Sequence, residues 1–279
     1  MEDEEQPKYT PDSDFEELKK EWYSNEGVKF EIVKNLKYRE TAIINVADGK
    51  KTTRCLKVNA VKYLDMNNGR YNIFGELYNI YGSLACFPQL PMFSFSKHVK
   101  YRQQQEFNKD YKKLMTGFDF MMDIDNSDID EAHKSTKKCK KIFDKFGVPY
   151  WLQFSGSKGF HIRVDYDDFP SWLKSKPFDI IANTLKQFAE NFRIINNIPD
   201  IDLGVFDLRR IAKTPYTVVY PFYLVAYPLT DEEFDNFSIE RVSLPYLMQN
   251  IEKIKFRGVL KREEKQDGFS KLLKEYLEI

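Results

Sequence analysis

The stretch that most restricts the fold is residues 116–125, TGFDFMMDID. Side chains along a strand alternate between its two faces, so Phe118, Phe120, Met122 and Ile124 share one side while Asp119, Met121, Asp123 and Asp125 share the other. Such a pattern suits a sheet covered by core on one face and open to polar chemistry on the other. The next segment, IDEAHKSTKKCKKIFDKFG, repeats Ala132, Thr136, Cys139, Ile142, Phe143 and Phe146 at helical spacing, turns its lysines outward and places Gly147 as a stop. VPYWLQF and GFHIRV then read as two strands around a Ser-Gly-Ser-Lys-Gly loop, PFDIIANTLKQFAENFRIIN as a second helix, DIDLGVF as a short strand and TPYTVVYPFYLVAYPL as β-rich. The expected class is α/β of the α+β kind: a central, mostly antiparallel sheet carries the acidic face, helices flank it, and a smaller N-terminal α/β unit precedes it.

Three segments follow from composition. Residues 1–28 are acidic, poor in aliphatics and interrupted by Pro7 and Pro11, which predicts a tail outside the core that ends in a short helix. Residues 29–230 form the main domain, with 31–58 reading as strands around the Asp48-Gly49 turn. Residues 231–279 form a charged helical extension, whose stripe of Phe269, Leu272, Leu273, Tyr276 and Leu277 either docks on a partner or packs back on this chain. The 43 basic and 43 acidic residues cancel, so any attraction to nucleic acid must be local. Three widely spaced cysteines argue against both a disulfide framework and a cysteine-rich zinc site. The lack of a long apolar run and the acidic N-terminus predict an intracellular protein with no membrane span.

Asp123 and Asp125 place two carboxylates side by side, a set that hard divalent cations favour and that mutual repulsion otherwise penalises. An EF-hand is excluded, because Asp128 stands where glycine is required and Lys134 where glutamate is required. In SGSKGFHIRV, strand parity sends His161 and Arg163 away from Phe160, Ile162 and Val164. The loop before it offers Ser155, Ser157, Lys158 and backbone N–H groups, the equipment of a phosphate site. It is neither a Walker A loop nor a nucleophile elbow, since Ser155 stands where the latter needs glycine. A third segment, DIDLGVFDLRRIAKTPYT, supplies Asp202 followed by Arg209, Arg210 and Lys213.

Taken in order, these segments resemble the archaeo-eukaryotic primase superfamily, whose three motifs are DxD, a Ser-to-His motif and a lone acidic residue ahead of a basic segment. FMMDID resembles the first, SGSKGFH the SGxxGxH form of replicative primase small subunits, and IDLGVFDLRRIAKTPYT the third, with Asp202 rather than Asp207 in the acidic position. YRETAIINVADGKKTTRCLKV resembles the family's N-terminal hairpin, in which an arginine at the place of Arg54 meets nucleotide phosphates. The resemblance spans roughly residues 30–220 and implies a primase-type fold. It implies that Asp123, Asp125 and Asp202 hold two Mg²⁺ or Mn²⁺ ions, and that Ser155, Ser157, Lys158, His161, Arg54, Arg210 and Lys213 bind the incoming nucleotide. The implied activity is primer synthesis on single-stranded DNA from NTP or dNTP, beside a large primase subunit or another replication protein. Three alternatives remain open: a primer-extending repair or translesion polymerase, a metal-dependent hydrolase, and an inactive nucleic-acid-binding relative. Two features depart from the family pattern. The interval after DxD has only His133 and Cys139 where small subunits carry a zinc element, so no structural zinc is expected, and Val219 stands near the place of a histidine.

Overall fold

The structure, a computed structural model, describes residues 13–45, 55–58, 78–87, 112–254, 256, 261–262 and 267–278. In chain order its strands are β1 (Arg39–Asn45), β2 (Cys55–Val58), β3 (Tyr78–Cys86), β4 (Gly117–Phe118), β5 (Phe120–Asp125) and β6 (Trp151–Phe154). They continue as β7 (Gly159–Val164), β8 (Ile201–Asp202), β9 (Ile211–Lys213), β10 (Val218–Val219), β11 (Leu224–Val225) and β12 (Pro228–Leu229). One sheet runs β2-β1-β3-β4 with β9 also on β3, and a second runs β12-β6-β7-β5-β8. Every pairing in both is antiparallel, and β10 with β11 makes a small separate ribbon.

The alternating stretch is split between the sheets. β4 pairs with β3, and one residue later β5 pairs with β7 and β8. Asp119 sits at the crossover, its N–H donating to Leu84 O at 3.0 Å. Beyond that point the apolar parity works as the alternation predicts. Phe120, Met122 and Ile124 join Phe160, Ile162, Val164 and Phe154 in the fully buried core. The helices Ile129–Phe146, Phe178–Ile195 and Gly268–Leu277 cover that face, and the Phe120 ring lies 6.3, 5.7 and 5.6 Å from those of Phe143, Phe188 and Phe269. Each such buried ring removes enough apolar surface from water to be worth about 1.5–3 kcal/mol. The first helix begins where Asp128 accepts from the Asp130 N–H and ends at Gly147, whose φ of 70° suits glycine.

Two expectations need correction. Residues 31–36, read as strand, belong to the helix Glu26–Leu36; Asn25 caps it by accepting from the Gly27 and Val28 N–H groups, and Val28, Ile32 and Leu36 bury one face at helical spacing. The acidic segment does not stay outside the core either. Within the helix Ser13–Ser24, Trp22 and Tyr23 are buried, with Trp22 Nε1 donating to Tyr216 O at 2.9 Å and Tyr23 Oη accepting from the Val218 N–H. Residues 1–12 lie outside the described residues. Of the two alternatives left open for the C-terminal stripe, packing back is the one observed: the helix Gly268–Leu277 buries Phe269, Leu272, Leu273, Tyr276 and Leu277 in this chain. The Asp48-Gly49 turn falls outside the described residues, although β1 and β2 do pair antiparallel on either side of it. Among the described residues no helix is long and apolar enough to cross a membrane.

Candidate active site

Residues directly opposite one another on antiparallel strands share a face. In the second sheet Gln153 faces His161, His161 faces Asp123, and Asp123 faces Asp202. The four side chains therefore form a row across the strand order β6-β7-β5-β8, and Asp125 lies one step further along, opposite Gly159. The first sheet closes over this row with β9. Arg210, just ahead of β9, brings its Nη2 to 3.8 Å from Asp123 Oδ2 and 3.5 Å from Asp202 Oδ2. Asp207, the other candidate for the third acidic position, caps the turn that aims Arg210: its side chain accepts from the Arg209 N–H and its carbonyl from the Arg210 N–H, both at 2.8 Å.

The 155–158 loop joins β6 to β7 and overhangs the acidic row. Gly156 has φ 84°, and a Cβ there would stand 2.3 Å from Val219, so the loop can lie on that side chain only as glycine. A Cβ on Gly159 would meet Asp125 Oδ1 and Ile124 O at 2.2 Å, which is why β7 can approach the second carboxylate so closely. Lys213 Nζ donates to Ser157 Oγ at 2.9 Å, Ser155 Oγ lies 3.5 Å from Ser157 Oγ, and Lys158 Nζ lies 3.9 Å from Asp125 Oδ2. Val219, noted for standing near a family histidine, thus supports the loop by packing.

Burial and unequal charge set the protonation states. Asp123 is pushed up to about 6, chiefly because it is buried; Arg210 opposes the shift and Asp202 adds to it. Asp125 is raised for the same first reason, with Asp123 adding to it. His161 is pushed down to about 3 by burial, reinforced by Arg163 and Lys213, and is neutral at pH 7. Its Nε2 lies 3.5 Å from Asp123 Oδ1, so the contact is neither an ion pair nor a hydrogen bond. Burial also lowers the Lys213 ammonium from its usual range, against the pull of Asp125 and Asp123. Asp123 Oδ1 and His161 Nδ1 are buried and have no hydrogen-bond partner.

Of the residues singled out in the sequence, the fold brings together Asp123, Asp125, Asp202, Ser155, Ser157, Lys158, His161, Arg210 and Lys213. Arg54 lies outside the described residues. Three adjacent carboxylates, one with an unpartnered buried oxygen, form a hard donor set whose chemistry fits Mg²⁺ or Mn²⁺. Among the described residues, no three acidic, histidine or cysteine side chains are drawn closely around one point, and the Arg210 guanidinium supplies the positive charge between Asp123 and Asp202. His133 and Cys139 are taken up in packing, with His133 Nε2 2.7 Å from Phe234 O and Cys139 fully buried. One neighbour was missed. Gln153 is fully buried beside His161, and its Nε2 donates to Lys213 O at 3.1 Å, tying the two sheets together. A polar residue in phase with Trp151, on a strand turning straight into the His161 strand, was the available signal.

No protein-family model matches the chain. An uncharacterized protein of Methanocaldococcus jannaschii is 28% identical over 144 residues, which is 50% of this chain but only 30% of that protein, so the chain spans under a third of its relative's length. Among solved structures, the polymerase domain of Mycobacterium tuberculosis ligase D, in complex with DNA, superposes with a TM-score of 0.54 at 12% identity over 85% of this chain and 88% of that one. The two chains share a fold. It is the primase-polymerase fold, as the sequence led us to expect, with mixed α/β content and antiparallel sheets flanked by helices.

Proposed function

We propose that the chain is a template-directed nucleotidyltransferase of the archaeo-eukaryotic primase superfamily that synthesises short primers on single-stranded DNA. The observation that carries this reading is the meeting of Asp123, Asp125 and Asp202 beside the 155–158 loop, on a fold shared with a polymerase domain solved with DNA. Asp123, Asp125 and Asp202 would hold two Mg²⁺ or Mn²⁺ ions, which when bound supply charge neutralisation at the attacking 3′-oxygen and along the triphosphate. The 3′-oxygen bonds the α-phosphorus and pyrophosphate departs.

The remaining residues position the substrate. Ser155, Ser157, Lys158 and His161 take the phosphates, and Lys213 holds Ser157 in place from the opposite sheet while adding charge. Because His161 is neutral, it donates to a phosphate oxygen without a proton having to be driven onto a buried ring. Arg210 offers a guanidinium that can follow negative charge from the carboxylates to the nucleotide, and Arg54 is a further phosphate contact by resemblance. A large primase subunit or another replication protein would have to dock away from the buried Phe269 stripe.

A second reading, primer extension in repair, is favoured by one observation: the polymerase domain sharing this fold comes from a ligase. One assay separates the two. The chain is incubated with single-stranded template, Mg²⁺ or Mn²⁺ and labelled ribo- or deoxyribonucleotides, with and without a primer, and the products are sized. Products on unprimed template are expected. Growth only from the primer selects the second reading, and no incorporation in either arm overturns both.

A further inference from the structure

A second cluster lies on the same face of the second sheet, at the ends of β1, β5 and β7 remote from the 155–158 loop. Arg39 Nη2 donates to Asp119 Oδ2 at 2.5 Å, and Arg163 Nη2 donates to the same oxygen at 3.1 Å. Asp119 and Arg163 are buried and Arg39 is mostly so. Two guanidiniums thus share one carboxylate, which leaves a positive charge without a hydrogen-bonded anion in a poorly solvated place. Asp165 offsets part of it from nearby, but that carboxylate is also engaged by Lys261 at 3.4 Å and by Trp151 Nε1 at 3.2 Å. Two polar groups here have no partner. The Nε of Arg163 and the hydroxyl of Thr214 are buried and make no hydrogen bond, and isolated groups of this kind are costly to keep.

Both residues line a cavity of about 580 Å³, the size of a site for a small organic ligand. Exposed Lys34 and Lys37 stand at its rim, next to the half-exposed ring of Tyr38. The cavity is separate from the acidic row. None of Asp123, Asp125, Asp202, His161 and Lys213 lines it. The charge balance also differs: Lys34, Lys37, Arg39 and Arg163 outnumber Asp119, Asp165 and Asp167 around the cavity, whereas Arg210, Lys158 and Lys213 only match the three carboxylates of the row.

We propose that this cavity binds a phosphate-bearing ligand of mononucleotide size, with the phosphate on Arg163 and Thr214 and the ring system beside Tyr38. Lys34 and Lys37 draw the anion in, Arg163 Nε and the Thr214 hydroxyl gain the partners they lack, and Tyr38 offers a face on which a base can stack. The site is independent of the nucleotidyltransferase reading and works without a divalent ion.

The test uses the full chain in EDTA, with adenosine 5′-monophosphate, inorganic phosphate and adenosine as probes, measured by calorimetry and by thermal shift. The monophosphate is expected to bind, inorganic phosphate more weakly, and adenosine least. Thr214→Val, which removes only the hydroxyl, should weaken the monophosphate about 5-fold. Arg163→Lys, which keeps the charge but loses the fork and Nε, should weaken it roughly 30-fold. His161→Ala should leave it within about 2-fold. If Arg163→Lys does not fold, Thr214→Val decides alone. The proposal is overturned if the monophosphate fails to bind the wild-type chain or if its binding survives Thr214→Val unchanged; loss in His161→Ala would then place the ligand on the 155–158 loop.

Discussion

Asp119 and Asp123 lie four residues apart in one stretch of chain, share a face by strand parity and are 2% and 7% exposed. Their ionisation moves in opposite directions. Burial pushes Asp119 up, but Arg39, Arg163 and the backbone N–H of Tyr166 outweigh it and hold the carboxyl below its ordinary value. Burial pushes Asp123 up too, and there one guanidinium at 3.8 Å does not compensate for desolvation and the facing Asp202. Asp119 is a completed ion network at the point where the chain changes sheets. Asp123 is a less complete one, with an oxygen, Oδ1, that no hydrogen bond reaches. The two acids are thus distinguished by what surrounds them and not by depth.

The largest effect expected from breaking this contrast is at Asp119. Asp119→Ala leaves two buried guanidiniums facing each other and should cost about 3–5 kcal/mol, read from urea unfolding at pH 7. In the wild type this carboxylate stabilises the fold above its unfolded pKa of about 3.9, and the contribution is lost as pH falls through its lower folded value.

Asp123 should behave in the reverse sense. With a folded value of about 6 above an unfolded value of about 3.9, its charge costs stability above pH 6, and the cost disappears as pH falls toward 4. Asp123→Asn should therefore stabilise the metal-free chain at pH 8 by up to roughly 2–3 kcal/mol and make no difference near pH 4. A less stable variant at pH 8 would mean that Asp123 is as well satisfied as Asp119, and the contrast would collapse. The smallest effect is kinetic. His161→Ala should raise the nucleotide KM about 10-fold while kcat changes by less than about 3-fold, because a phosphate contact is lost and the carboxylates are untouched.

The alternation from Phe118 to Asp125 was legible because its two faces differ so sharply in chemistry, and the hairpin of β6 and β7 because glycines and serines separate two apolar runs. From the second feature the hairpin register follows once the loop length is known, which sets Gln153 opposite His161. What could not be read is pairing across long stretches of chain. Nothing local to Arg39 says that it will meet an aspartate 80 residues away, and the same parity that marks Asp123 as polar marks Asp119 equally. Residues 31–36 misled because FEIV has the β-branched look of a strand, whereas the spacing of Val28, Ile32 and Leu36 behind the Asn25 cap carried the helical period. Trp22 and Tyr23 fell inside the segment read as an acidic tail, whose composition hides two large apolar side chains that only tertiary contact reveals.

The most direct test of the central claim sets stability and activity of one variant side by side. Asp123→Asn should be folded, at least as stable as the wild type at pH 8 in EDTA, and inactive in metal-dependent nucleotide incorporation on a DNA template. A variant that folds and still incorporates nucleotides at the wild-type rate would show that the carboxylate row does not carry the chemistry.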